Sequence, residues 1–106
     1  NVDRVSALIE VSCQPERDYG YDRIASMIYS YSEVETMYLM SGRSEFIVMV
    51  EGKTMQEISN FVGSKLAVVE GVTGTSTNFV LKKYKTAGII LSDDQDDEDD
   101  RMVVTP

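Results

Sequence analysis

Apolar residues recur along the chain at two periods, and the switches between them mark out six elements. Residues 4–12, RVSALIEVS, alternate loosely around Val5, Ile9 and Val11, which predicts a strand. CQPERD follows, and Pro15 makes it a loop. From about Asp18 the period lengthens. Ile24, Met27, Ile28 and Tyr31 stand at i, i+3, i+4 and i+7 and so share one helix face. Residues 34–41, VETMYLMS, and 45–51, EFIVMVE, return to strand character, and Gly52-Lys53 breaks the run. Thr54-Met55-Gln56-Glu57 then reads as a capping box, in which the Thr54 hydroxyl accepts from the Glu57 amide and the Glu57 carboxylate reaches back to the Thr54 amide. Met55, Ile58, Val62 and Leu66 predict the buried face of this second helix. Gly63 inside it costs about 1 kcal/mol relative to alanine, which points to close packing there. Residues 73–85, TGTSTNFVLKKYK, read as a fourth strand, and AGIIL (87–91) as a short apolar continuation.

The order strand, helix, strand, strand, helix, strand is that of an α+β, ferredoxin-like βαββαβ sandwich. Its four-stranded antiparallel sheet carries two helices on one face, which leaves the other face bare. A bare face is normally polar, yet the strands carry apolar residues on both sides. On the second strand Val34 and Met40 are expected to oppose Met37 and Leu39; on the third, Ile47 and Met49 oppose Phe46, Val48 and Val50. The simplest cover for a second apolar face is another copy of the same sheet, so a homodimer is expected, a dimeric α+β barrel.

Composition narrows the function more by exclusion. The 106 residues fit one domain able to bury a core. No stretch approaches the roughly 20 apolar residues of a membrane span. The chain has no histidine, which removes Ser-His and Cys-His nucleophiles and imidazole bases, and a single cysteine, Cys13, which excludes an internal disulfide. The net charge of −8 is local: residues 93–100, DDQDDEDD, hold seven of the eighteen acids, and the remaining eleven nearly balance ten bases. The body of the domain therefore has no field suited to nucleic acid. The acidic run lacks the spacing of a calcium loop, so no metal is expected, and no cofactor. Lys82, Lys83 and Lys85 read as a solvated strand end, and the methionines as core filling.

The stretch YLMSGRSEFIVMVEG (38–52) sets a glycine, a cation and an anion at the tip of an apolar hairpin. On residue type alone, Arg43 and Glu45 are a solvated pair across a turn, worth about 0–1 kcal/mol, Gly42 is a turn glycine, and Thr75 and Thr77 are good strand residues. Two stretches add to this. VETMYLMSGRSEF (34–46) and EGVTGTSTNFVLKKYK (70–85), with Gly71-Val72, Thr75, Thr77, Val80-Leu81-Lys82 and Lys85, resemble the C-terminal effector-binding domain of the leucine-responsive regulatory protein/AsnC (Lrp/AsnC) family of transcription regulators. The resemblance runs from about Val5 to Lys85.

The resemblance implies a ligand-binding and oligomerisation domain over 1–91, with residues 92–106 as an acidic tail. It also implies an N-terminal helix-turn-helix DNA-binding domain outside this chain, in keeping with a start at Asn1 rather than Met. It further implies a cytoplasmic, non-enzymatic regulator. Homodimers would join into octamers or other higher assemblies and bind an amino acid at the contacts between dimers. The candidate effector-binding residues are Tyr38, Ser41, Gly42, Arg43, Ser44, Glu45, Thr75 and Thr77. Gly42 would let the backbone approach a ligand. Arg43 would fork onto an α-carboxylate, and Glu45 would receive an α-ammonium. The family places aspartate where Glu45 stands, so the carboxylate here reaches one methylene further. Two other readings are a stand-alone amino-acid-binding module and a small dimeric ferredoxin-like enzyme using Tyr38, Arg43 and Glu45.

Overall fold

A computed structural model describes residues 4–14, 17–18, 20–41 and 45–91. The expected order of elements is present. β1 (Val5–Cys13) leads to α1 (Asp22–Tyr29), then β2 (Val34–Met40) and β3 (Glu45–Gly52), then α2 (Met55–Phe61), which runs into a π-helical turn over Val62–Leu66, and then β4 (Val72–Phe79). The four strands form one antiparallel sheet in the order β2-β3-β1-β4, with β2 and β4 at its edges. This is the ferredoxin-like α+β arrangement.

Register decides which side chains share a face, since directly opposed residues on neighbouring strands point the same way. Ala7, Ile9 and Val11 stand opposite Val50, Val48 and Phe46 on one side and Phe79, Thr77 and Thr75 on the other. The β1 and β3 members of this set are buried beneath the helices together with Cys13, Ile24, Ile28, Ile58, Phe61, Val62, Leu66 and Val69. Burial pushes the Cys13 thiol above its ordinary range by desolvating the thiolate. Two edge-to-face ring pairs close the core margins, Tyr21 on Phe46 and Tyr31 on Phe61. Gly71, between the π-helical turn and β4, has φ +102°, and a Cβ there would lie 2.7 Å from Ile24 Cδ1. A side chain would thus meet both backbone strain and the core.

Several expectations need correction. Val34 lies on the helix side with Met37 and Leu39, not with Met40. A β-bulge between Val34 and Thr36 sets two β2 residues against one β3 position and reverses the alternation. Met27 and Met55 are not core: they are 46% and 49% exposed. Ile24 and Ile28 are buried and Tyr31 packs against the core as expected, with Ala25 and the preceding Tyr21 in place of Met27, and Phe61 joins Ile58 on α2. Gly63 meets nothing within 4 Å, so no close packing explains it. β4 stops at Phe79. Beyond it, Lys85–Thr86 (β5) and Ile89–Ile90 (β6) pair as a separate small hairpin. The acidic tail lies outside the described residues.

The cap of α2 forms as expected, with the Glu57 amide donating to Thr54 Oγ1 at 3.0 Å. The Glu57 carboxylate, however, accepts from the Lys53 amide at 2.6 Å rather than from that of Thr54. Thr54→Ala is expected to destabilise the domain by about 1 kcal/mol, read as a lower urea midpoint with an unchanged slope.

Candidate functional site

The face turned away from the helices is mixed. Leu8, Ile47, Met49, Tyr38 and Met40 form an apolar centre across β1, β3 and β2. Ser6, Glu10 and Ser12 on β1, Glu45 and Glu51 on β3, and Ser76 and Asn78 on β4 make the rest polar. The expectation of an apolar second face thus holds for β2 and the middle of β3 and fails along β4 and, apart from Leu8, along β1. Glu51 ties the lower rim together. It accepts from Ser6 Oγ at 3.4 Å and pairs with Arg4 Nε at 3.4 Å and Lys83 Nζ at 4.0 Å.

The sequence-predicted site residues divide between the two sides. Tyr38 is on the uncovered face and 59% exposed. Ser41 is an exposed turn residue after β2. Glu45 opens β3 on the uncovered face, half-buried, and accepts from Ser12 Oγ at 3.2 Å. Thr75 and Thr77 do share a face of β4, but it is the helix-side face, opposite Val11 and Ile9. Gly42, Arg43 and Ser44 lie outside the described residues. Within one chain, therefore, Glu45 and the two threonines sit on opposite sides of the sheet.

Two concavities went unseen in the sequence. A polar cleft of about 210 Å³ between α2 and the Glu51 end of β3 is lined by Glu33, Glu51, Glu57, Asn60, Ser64 and Lys65. Its ends are bridged by the Lys65–Glu33 pair at 3.4 Å. A second groove, of about 220 Å³, runs between α1 and edge strand β2, lined by Tyr21, Asp22, Ala25, Tyr29, Met37, Leu39 and Phe46 and by the candidate residue Tyr38. Excess aromatic residues near α1 were the available signal. Among the described residues no cluster of three or more acids, cysteines or histidines could hold a metal, and no helix is long and apolar enough to cross a membrane.

The profile described as the Lrp/AsnC ligand binding domain matches residues 6–90. The chain belongs to the Lrp/AsnC family. The Lrp/AsnC domain is 41% identical over 102 residues to an HTH-type transcriptional regulator, YugG, of Bacillus subtilis, covering 96% of this chain and 60% of the relative. It is 34% identical over 65 residues to the HTH-type regulator FL11 of Pyrococcus furiosus, covering 61% of this chain and 42% of that one. The chain thus spans about half the length of these relatives. Its fold superimposes on Escherichia coli AsnC with a TM-score of 0.69 at 18% identity, over 77% of this chain and 54% of the other. A Neisseria meningitidis transcriptional regulator in complex with L-Met gives a TM-score of 0.71 at 24% identity, over 82% and 56%.

Proposed function

We propose that this chain is the effector-sensing and oligomerisation part, residues 1–91, of a cytoplasmic Lrp/AsnC transcription regulator. Two copies meet through the uncovered sheet faces, and dimers join into an octamer or another higher assembly. DNA is bound by a helix-turn-helix domain outside this chain. The domain does no chemistry. The observation that carries this is the apolar centre Leu8, Tyr38, Met40, Ile47 and Met49 on the sheet side that neither helix of the described residues covers, in a chain of this family.

The effector is an amino acid bound between copies. The L-Met complex of the Neisseria relative supports that class. So does the division of the candidate residues. With Tyr38 and Glu45 on one side of the sheet and Thr75 and Thr77 on the other, a pocket using both sets must draw them from different copies. Ser41, Gly42, Arg43 and Ser44 complete the first set. Binding at such contacts favours one assembly over another only through unequal affinity for the two.

Calorimetric titration of the twenty amino acids into wild type and into Arg43→Ala and Glu45→Ala variants tests this. At least one amino acid is expected to give saturable heat with wild type and at least tenfold weaker binding to both variants. Equal affinity in all three proteins removes Arg43 and Glu45 from the pocket, and silence across the panel overturns the amino-acid assignment.

A further inference from the structure

After Phe79 the described chain makes one more backbone hydrogen bond to the sheet, from the Val80 amide to the Ser6 carbonyl at 2.9 Å, and Lys83 pairs with Glu51 of β3. From Leu81 to Leu91 every residue is exposed. The segment is nevertheless shaped. β5 and β6 pair antiparallel around Ala87 (φ 49°) and Gly88 (φ 84°), the two successive positive φ values of a type I′ hairpin turn. The Leu91 amide closes the hairpin on the Tyr84 carbonyl at 2.8 Å. A hairpin this small is not stable alone in water. It also carries Leu81, Tyr84, Ile89, Ile90 and Leu91 with 44–89% of each exposed, a concentration of apolar surface that marks a contact site.

The α1–β2 groove is its complement. It is apolar and aromatic, its only charged lining residue among the described residues is Asp22, and the arm carries Lys85. Topology brings the two together between copies. β4 and β2 are opposite edges of the sheet. If two such sheets stack face to face about a two-fold axis parallel to the strands, the β4 edge of each copy lies over the β2 edge of the other. Stacked sheets are about 10 Å apart, and Val80 to Lys85, extended at about 3.3 Å per residue, spans roughly 16 Å.

We propose that residues 81–91 form an arm that crosses to a second copy of this chain and seats its apolar side chains in that copy's α1–β2 groove, with Lys85 toward Asp22. This rests on the face-to-face dimer proposed above. The two arms clasp the dimer, one at each edge.

In a Cys13→Ser background, one protein carrying Ile90→Cys and another carrying Tyr29→Cys are mixed and oxidised. A disulfide between the two different chains is expected in good yield, well above that of Ile90→Cys mixed with a Ser76→Cys control. Cross-linking no better than the control overturns the arm, as does a disulfide formed within one chain that carries both cysteines. The Ile89→Glu/Ile90→Glu variant should keep its circular dichroism and associate at least tenfold more weakly by sedimentation equilibrium. Unchanged association, in a protein that Met49→Arg does dissociate, overturns the arm and leaves the face-to-face dimer standing. Dissociation by the arm variant but not by Met49→Arg overturns the dimer geometry on which the arm's path depends.

Discussion

Replacing Met49 with arginine leaves a folded monomer. Met49 stands at the middle of the uncovered face, opposite Leu8 on β1 and Thr36 on β2, with Ile47 two positions along the same strand. Its side chain points away from Ile9, Val48 and Ile28, so the substitution leaves the helix-side core intact. In a monomer the guanidinium is hydrated, and the change costs no more than an ordinary surface substitution. In a face-to-face dimer each arginine would be taken out of water against the other copy's sheet, a penalty of about 3 kcal/mol or more. Each 1.4 kcal/mol is a factor of ten, so the dissociation constant should rise at least 100-fold. Sedimentation equilibrium, with far-ultraviolet circular dichroism to verify the fold, reads this directly. An arginine variant that associates like wild type would place the contact elsewhere on the molecule.

Ile28→Ala should produce the largest loss of stability. α1 is only eight residues long and has no side-chain cap, and helices shorter than about 12 residues do not hold in water by themselves. Its position depends on two fully buried anchors, Ile24 and Ile28, at 1% and 0% exposure. Truncating one leaves a void that the stiff sheet beneath, Ile9, Val11 and Val48, does not fill. Buried isoleucine-to-alanine changes cost about 2–5 kcal/mol. With about 4–8 °C per kcal/mol for a domain of this size, the thermal midpoint should fall by roughly 8 °C or more in calorimetry. A fall of only a few degrees would mean that α1 contributes little to the cooperative unit.

What patterning revealed and what it missed have different physical origins. β1 and β3 were legible because they are central strands, and burial on the helix side imposes a clean alternation at Ile9, Val11, Phe46, Val48 and Val50. The end of β4 was not, because a strand ends where its partner does. β1 begins at Val5, so Val80 finds the last acceptor at Ser6 and the residues after it have none on the sheet. The side on which Val34 falls depends on a backbone bulge that leaves no mark in residue type. Met27 and Met55 carry the right period but stand beyond the reach of the sheet. For the candidate site, the residue types at Glu45, Thr75 and Thr77 could be read directly. Their separation by the thickness of the sheet could not, since it depends on registry between strands far apart in sequence.

The bulge at Val34–Thr36 also bears on how association ends. A sheet with a greasy side and two free rims is, in principle, able to recruit strands without limit and grow into filaments. The extra residue at Glu35 coils the β2 rim and confines its regular part to Thr36–Met40. A stranger's strand laid along that rim loses step after a few residues, which favours finite, closed particles over fibres.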